Sequence, residues 1–322
     1  MAEETLPFLL DAHVDTLLRV LDDGADLAAG IPEGHVDLAR LAEAGVGVLV
    51  FSLWPSLDYL PDRSFTRVVA MAEALRAQCA RHPDRLGLAR TAAEARALVA
   101  EGRLACMMGV EGGHAIEDDL GKLRALADLG VRYMTLTWNN HLAWAESCQR
   151  PTADSPRGLT DFGREVVREM HRLGVVADCS HVSPRTLHDV LDLDVPPPLC
   201  SHSGARAVHD HCRNLADAEI EAVAAKGGAV GLVLYPGFLT GGGPCTLADA
   251  VEHAARFHAV GGPGVLGLGS DFDGIDLVPE GLEDAGRLPA LVRGIRDRTG
   301  LDAEGLRGLC HANLLRVFAA WE

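Results

Sequence analysis

Short apolar runs alternate with amphipathic runs from one end of the chain to the other. Strands are predicted at 8–13, 46–53, 104–110, 131–137, 175–179, 198–201, 229–235 and 265–270. The amphipathic runs between them predict helices. Eight strand-then-helix units in succession predict an α/β fold in which the strands close into a (β/α)8 TIM-type barrel.

Capping residues support the helix assignments. Helices are predicted at 36–44, 63–81, 91–101, 119–129, 160–173, 184–191, 217–225, 247–260 and 289–298. Thr160 stands where a helix N-cap is expected, and Gly174 marks the end of the same helix. The run 301–321 is predicted as an extra pair of C-terminal helices packed on the outside. No stretch resembles a linker, so we expect one domain over residues 1–322.

Composition narrows the class of protein. The 322 residues are 48% hydrophobic and carry a formal net charge of −17. This charge leaves no basic surface for nucleic acid or for an anionic membrane. The start of the chain lacks the basic and apolar stretches of a secretory signal, and the eight cysteines follow no close pairing pattern. We therefore expect a soluble cytoplasmic protein with reduced thiols.

Chemically reactive side chains stand at the predicted C-terminal ends of the strands. In parallel barrels this end carries the active site, whereas the opposite end mainly serves stability. The residues at these ends are His13, Asp15, Glu111, His181, His202 and Asp271. Their shared position indicates a common site.

The donor set predicts a metal centre. Glu111 stands alone in an uncharged strand, and a lone carboxylate is costly to bury unless cations neutralise it. His13 and Asp15 lie two residues apart, so they face the same way in an extended segment. The alternative for this pair is a buried structural histidine and a helix-capping aspartate. Imidazole and carboxylate donors suit Zn²⁺.

Counting the donors indicates two zinc ions per chain. Glu111 would bridge one ion held by His13 and Asp15 and another held by His181 and His202. Some metal-dependent barrels use a carboxylated lysine as the bridge. Here the two lysines, at 122 and 226, both lie on predicted helices away from the strand ends, which leaves Glu111.

Two zinc ions would activate a shared water, or hydroxide, as the nucleophile, and hydrolysis also needs a group that handles protons. Asp271 is placed to accept that proton and to pass it to a leaving nitrogen; the alternative is that it only caps a turn. Asp273 precedes Gly274 in a typical turn sequence and is interpreted as structural. Tyr235 ends the seventh strand, where it either contacts substrate or caps the barrel.

Several motifs, in this order, resemble the membrane (renal) dipeptidase family of the amidohydrolase superfamily. They are GVEGGH (109–114), YMTLTWNNHLAWAES (133–147), DCSHVSP (178–184), SHSGARAVHDHCRN (201–214) and GLGSDFDG (267–274). The resemblance implies a binuclear zinc barrel that hydrolyses dipeptides, in some members those with a C-terminal D-residue. It implies the same roles for the five metal ligands and Asp271, and it implies a homodimer.

The resemblance also identifies substrate-binding residues. Arg213 matches the residue expected to bind the terminal carboxylate of the substrate, an anion that a guanidinium fits well. Animal members carry a histidine where this chain has Trp138, and His141 follows three residues later. Either His141 reaches into the site, or Trp138 and the second zinc suffice, or the substrate range differs.

The sequence is also compatible with two other functions. One is an amidohydrolase that acts on N-acyl amino acids or on another small amide. The other is a barrel that holds metal without catalysis. Animal members of the family are secreted, lipid-anchored and disulfide-linked, whereas we expect this chain to be a soluble, reduced version.

Overall fold

The computed structural model describes residues 6–322 and places ten strands in this part of the chain. In chain order they are β1 (Leu9–Val14), β2 (Val46–Leu53), β3 (Leu86–Leu88), β4 (Leu104–Glu111), β5 (Val131–Thr135), β6 (Val176–Asp178), β7 (Leu199–Ala205), β8 (Asn214–Leu215), β9 (Ala229–Leu232) and β10 (Leu266–Leu268). Eight of them pair in parallel in the order β1, β2, β4, β5, β6, β7, β9 and β10, and β10 pairs again with β1. The sheet is therefore a closed barrel.

This arrangement confirms the predicted (β/α)8 barrel, and each predicted strand corresponds to one barrel strand. The two additional strands, β3 and β8, were not predicted. With three and two residues, they are too short to show a pattern of alternation. β3 pairs with the start of β4, and β8 pairs with the end of β7.

Thirteen α-helices surround the strands in the described residues. They are α1 (Leu17–Asp22), α2 (Leu38–Ala44), α3 (Ser64–Arg81), α4 (Ala92–Ala100), α5 (Leu120–Leu129), α6 (Asp161–Leu173), α7 (Pro184–Leu191), α8 (Asp217–Ala225), α9 (Pro236–Leu239), α10 (Leu247–Gly261), α11 (Leu288–Thr299), α12 (Ala303–Arg307) and α13 (Asn313–Trp321). Short 3-10 turns lie at Leu57–Tyr59, Gly113–Ile116, Pro263–Val265 and Ala285–Arg287. The predicted caps of α6 are present: Thr160 accepts from a backbone N–H, and Gly174 adopts φ +68°.

The C-terminal segment lies across the N-terminal end of the barrel. A π-helical turn, Gly308–Ala312, joins α12 to α13. The amide of Asn313 donates to the carbonyl oxygens of Pro263 and Leu266, at 2.8 and 2.9 Å. The predicted extra helices are thus outside the barrel, and they close one end of it rather than extending the outer ring.

The core fills the barrel and the space between the strands and the helices. Its largest fully buried side chains include Phe51, Phe257 and Phe272. In residues 6–322, no helix has the length and apolar character that a membrane crossing requires.

Candidate metal centre

The six side chains predicted to form a common site come together at the C-terminal end of the barrel. His13 Nε2 lies 3.5 Å from Asp15 Oδ2, 3.5 Å from Glu111 Oε2 and 3.8 Å from Asp271 Oδ1. Two of the other predicted metal ligands, Asp15 and Glu111, and Asp271 therefore surround this imidazole nitrogen.

The other two histidines face the second oxygen of Glu111. Glu111 Oε1 lies 3.0 Å from His181 Nε2 and 3.6 Å from His202 Nε2, and these two nitrogens are 3.0 Å apart. Glu111 thus presents one oxygen to the His13 side and one to the side of His181 and His202. The donor atoms form overlapping groups in which all atoms lie within 4.8 Å of one another.

Polar atoms without hydrogen bonds show that this centre suits a cation. His13 Nε2 and Asp15 Oδ1 are buried and form no hydrogen bond with any residue of the described range. A buried polar atom without a partner is costly, and metal coordination satisfies both kinds of atom. The residues present therefore fit a divalent metal ion.

The ionisation states of His181, His202 and Glu111 also suit metal binding. Burial, with the positive charge of Arg213, lowers the pKa of His181 to about 3. Burial, with the nearby His13, lowers the pKa of His202 well below its usual range. Both imidazoles are thus neutral near pH 7 and can offer a lone pair. Although burial opposes ionisation of Glu111, His13 and the other histidines hold its pKa well below its ordinary value.

Irregular strand pairing turns two of the ligands toward the centre. The register of β1 against β2 shifts between Asp11 and Val14, and that of β7 against β9 shifts between Cys200 and Ser203. Such bulges redirect a side chain and release backbone groups from the ladder. In β1 the released N–H of His13 donates to Asp11 Oδ1 at 3.2 Å.

In β7 the released backbone groups bond to side chains of the neighbouring strand. The N–H of Ser201 donates to Asp178 Oδ1 at 2.8 Å, and the N–H of His202 donates to Ser180 Oγ at 3.0 Å. The carbonyl of Ser201 lies against Gly231 and Gly269, where a Cβ would come within 2 Å of its oxygen. These two glycines are thus required for the backbone path that places His202.

Two of the site residues adopt left-handed backbone conformations. His181 and Asp271 both have φ +66°. Such strain in non-glycine residues persists where the surrounding structure holds it, often at functional sites. The N–H of Asp271 donates to the carbonyl of His13 at 3.0 Å, and the Asp273 carboxylate accepts from the backbone of His35 at 2.8 Å.

Asp271 is the most accessible of the six side chains. Its side chain is 13% exposed, whereas those of the five predicted ligands are between 0% and 6% exposed. Burial, reinforced by the neighbouring Asp15 and Glu111, raises the pKa of Asp271 well above its usual value, against the opposing charge of His13. A carboxyl group with this position and environment can exchange protons with a molecule bound in front of it.

A cavity of about 330 Å³ opens in front of the centre. Its walls include Trp54, Trp138, Tyr235 and Phe238, and its floor includes Glu111, Asp271 and His181. The Trp138 ring packs 5.0 Å from that of Trp54 and 6.3 Å from that of His181, measured between centroids. Two of the predicted substrate-binding residues, Trp138 and Tyr235, thus lie in the cavity wall.

Arg213 lies beside the centre in a buried position. It directly precedes β8, whose pairing with β7 holds it next to His202. Its Nη2 donates to the carbonyl of His202 at 3.0 Å, and its guanidinium stacks 5.2 Å from the Phe238 ring centroid. Its Nε is buried and has no hydrogen-bond partner in the described range. The guanidinium therefore keeps capacity for a further acceptor.

His141 is held by hydrogen bonds within its own loop. Its Nε2 bonds to the carbonyl of Arg150 at 3.1 Å, and its Nδ1 faces the N–H of Ser147 at 3.2 Å. Like Arg213, it is not among the described residues that line the cavity. Both ring nitrogens are used within its own loop, so contact with a substrate stays a prediction.

The residues that orient the histidines were not predicted from the sequence. Tyr133 Oη lies 2.7 Å from His13 Nδ1, Asn139 Oδ1 lies 3.1 Å from His181 Nδ1, and Ser201 Oγ lies 2.8 Å from His202 Nδ1. Hydrogen bonds at Nδ1 leave Nε2 of each ring for the metal. One feature of the sequence could have pointed to them. Asp178 is a lone carboxylate in the apolar run before Cys-Ser-His, and a buried carboxylate needs several hydrogen-bond donors around it.

A closed parallel barrel that gathers imidazoles and carboxylates at the C-terminal ends of its strands defines the class: a metal-dependent hydrolase. Comparison with known proteins is more specific. The model of the family described as membrane dipeptidase (peptidase family M19) matches residues 4–322. The chain belongs to this family, and the protein is therefore a metallopeptidase of the dipeptidase type.

Individual relatives agree with this assignment. An uncharacterized dipeptidase of Schizosaccharomyces pombe is 35% identical over 329 residues, which cover 98% of this chain and 78% of that protein. The crystal structure of dipeptidase AC, a family M19 metallopeptidase, matches with a TM-score of 0.89, at 31% identity over 99% of both chains. A metallopeptidase from Rhodobacter sphaeroides, liganded with a phosphinate mimic of L-Ala-D-Ala, matches with a TM-score of 0.90 at 29% identity, over 99% of this chain and 100% of that one.

Proposed function

We propose that the protein hydrolyses dipeptides at a centre of two zinc ions. The observation that carries this proposal is the division of Glu111 between two sets of donors: Oε2 faces His13 on one side, and Oε1 faces His181 and His202 on the other. In this proposal Asp15 completes the first set. When bound, the two ions would polarise the peptide carbonyl and lower the pKa of a water molecule.

Residues of the chain supply the remaining steps. Arg213 binds the C-terminal carboxylate of the substrate, because its guanidinium is buried beside the centre with unused donor capacity. Asp271 accepts a proton from the attacking water and passes it to the leaving nitrogen. The aromatic wall of Trp54, Trp138 and Tyr235 contacts the substrate side chains.

The position of Arg213 supports the restriction to dipeptides. Arg213 donates to the backbone of a residue assigned as a metal ligand, His202. A carboxylate held there lies close to the ions, so about one residue fits between it and the scissile carbonyl. The mimic bound by the Rhodobacter sphaeroides protein corresponds to a dipeptide with a C-terminal D-residue. We extend the proposal to such substrates.

The test combines metal analysis with a substrate comparison. Purified protein is dialysed against a chelator, re-metallated with zinc and analysed by elemental mass spectrometry. Its turnover is then measured on Leu-Leu, L-Ala-D-Ala and N-acetyl-alanine. The proposal predicts two zinc ions per chain and faster hydrolysis of the dipeptides. Preference for N-acetyl-alanine would indicate another amidohydrolase, and inert protein with two zinc ions would indicate a non-catalytic barrel.

A further inference from the structure

A buried chain of hydrogen bonds leads from a carboxylate to one of the predicted metal ligands. Ser201 Oγ lies 2.6 Å from Asp178 Oδ2 and 2.8 Å from His202 Nδ1. Asp178 and Ser201 are 0% exposed, and His202 is 1% exposed. The three groups therefore interact without competition from bulk water.

The partners of Asp178 determine the direction of these bonds. Its Oδ1 accepts the backbone N–H groups of Ser180 and Ser201, at 3.1 and 2.8 Å. Its Oδ2 accepts the hydroxyl of Thr135 at 2.6 Å and that of Ser201 at 2.6 Å. All four of these partners donate to the carboxylate, so the single hydroxyl proton of Ser201 points toward Asp178.

The state of His202 follows from this direction. The hydroxyl proton of Ser201 is used by Asp178, so Ser201 Oγ can only accept from its other two neighbours, His202 Nδ1 at 2.8 Å and Ser180 Oγ at 3.3 Å. Nδ1 of His202 therefore carries the imidazole proton. A neutral imidazole has one N–H group, and Nε2 therefore keeps its lone pair. This nitrogen faces Glu111 Oε1 at 3.6 Å.

We propose that Asp178 is a positioning residue that acts through Ser201 to fix the Nδ1–H tautomer of His202, which leaves Nε2 to bind a divalent metal. The inference rests on the proposed function in one respect, namely that this half of the centre holds an ion. His181 has the same tautomer without an intervening hydroxyl, because the carbonyl oxygen of the Asn139 amide accepts directly from its Nδ1. Second partners of this kind commonly set ligand orientation and metal affinity.

The substitution Asp178→Asn should reverse the donor and acceptor roles along the hydrogen bonds from residue 178 through Ser201 to His202, with little change in side-chain shape. If the amide oxygen keeps the two backbone N–H groups, the new NH₂ group occupies the place of Oδ2 and donates to Ser201. The hydroxyl of Ser201 then donates to His202 Nδ1, and the imidazole proton moves to Nε2. We expect the affinity of one zinc site to fall about 10- to 100-fold. Nitrogen NMR of metal-free, ¹⁵N-histidine-labelled protein should show Nε2–H instead of Nδ1–H at His202.

Thr135→Val is the matched control. It removes the other hydroxyl that bonds to the same carboxylate oxygen, at the same distance of 2.6 Å, but it leaves the bond between Asp178 and Ser201 in place. We expect the Nδ1–H tautomer and nearly parental zinc affinity. A loss equal to that of Asp178→Asn would show that general disturbance of this buried cluster weakens zinc, and it would overturn the inference.

Removing the hydroxyl of Ser201 from the Asp178→Asn variant should restore part of the lost zinc affinity. In the double variant Asp178→Asn with Ser201→Ala, no hydroxyl donates to His202 Nδ1, so the imidazole can adopt either tautomer. The double variant should bind zinc more tightly than Asp178→Asn alone. Equal or weaker binding would overturn the inference. Ser201→Ala alone, with a mixture of tautomers, serves as a second test if Asp178→Asn does not fold.

The two proposals fail in different ways. Fewer than two zinc ions in the parent protein would contradict the proposed two-ion centre. The tautomer of His202 is read by NMR in metal-free protein, because a metal ion bound at Nε2 would itself exclude a proton from that nitrogen. A parent protein with Nε2–H at His202, or an Asp178→Asn variant that keeps Nδ1–H and parental zinc affinity, would overturn the role of Asp178.

Discussion

The two ends of the barrel differ in the hydrogen bonding of their buried polar groups. At the N-terminal end, Asn313 donates to the carbonyl of Leu266 at 2.9 Å, and Trp321 donates to the carbonyl of Pro197 at 2.8 Å. Side chains of the C-terminal segment thus satisfy carbonyls at the starts of strands. At the C-terminal end, His13 Nε2 is buried without a hydrogen bond to any described residue.

Backbone strain follows the same division. The non-glycine residues with positive φ in the described range include His181 and Asp271, both at the C-terminal end. Hydrogen bonds from the C-terminal segment stabilise the fold at the N-terminal end. At the C-terminal end, strained backbone and polar atoms without hydrogen bonds are suited to binding a ligand. Substitutions at the C-terminal end should therefore change metal content or turnover, and those at the N-terminal end should change the free energy of unfolding.

The largest effect is expected from Glu111→Gln. The amide has one acceptor oxygen and no charge, so it cannot bridge the two ions held by the two sets of donors. We expect zinc content to fall below two ions per chain and dipeptide turnover to fall more than about 10,000-fold. Elemental analysis and a dipeptidase assay measure both.

Glu169→Gln is the matched control for this change. Glu169 is also a buried glutamate, but it lies on α6, outside the barrel, and pairs with Arg124 of α5 and Arg172 of α6. Its substitution should weaken two half-exposed ion pairs and leave zinc content and turnover at the parental level. Equal zinc loss in both variants would mean that the division between site and scaffold is wrong.

Asp271→Asn should separate proton handling from metal binding. The substitution keeps the size of the side chain but removes its ability to accept a proton. Loss of a general acid or base typically slows turnover by about 100- to 10,000-fold. We expect this loss in kcat, with two zinc ions retained and KM little changed. Parental turnover would exclude a role for Asp271 in proton transfer.

Arg213→Gln should affect substrate binding more than chemistry. Loss of a charge-assisted hydrogen bond corresponds to about 1.5–3 kcal/mol, or roughly 10- to 100-fold in kcat/KM. The parent enzyme should strongly prefer Leu-Leu over its C-terminal amide, Leu-Leu-NH₂, and the variant should lose most of that preference. An unchanged preference would show that another group binds the carboxylate.

Local patterns explain why much of this division was predictable from the sequence. Each predicted barrel strand is a short apolar run, and at five of the eight a reactive residue such as Glu111 or His202 stands at or just after the end. In a parallel barrel these ends meet at one side, so topology alone brings the six residues together. That step needs no knowledge of side-chain packing.

The supporting groups could not be predicted in this way. Asp178 is bonded by Thr135 on β5 and by Ser201 on β7, two strands that are distant in the sequence. Likewise, His141 was the residue predicted to act in the segment 139–141, and only the tertiary structure places Asn139 against His181. The amphipathic C-terminal run predicted a buried face but did not indicate which surface it would cover.

The smallest effect on activity is expected from Asn313→Ala, at the N-terminal end. The variant loses the two hydrogen bonds that Asn313 donates to Pro263 and Leu266 and leaves their carbonyls short of donors. We expect a decrease in the free energy of unfolding of about 1–3 kcal/mol, with unchanged zinc content and kcat. Thermal or urea unfolding of the zinc-loaded protein measures the first, and the dipeptidase assay measures the second.

Asn313→Asp makes the same test more stringent. The new carboxylate is nearly identical in size, but it places acceptor oxygens against the carbonyls of Pro263 and Leu266, so repulsion replaces attraction. It should destabilise the fold more than Asn313→Ala does and still leave kcat of the folded enzyme at the parental level. If either variant instead lowers zinc content at temperatures where it remains folded, the two ends of the barrel are coupled. Packing around β10, which runs from Leu266 toward Asp271, would then transmit the effect of the substitution to the metal centre.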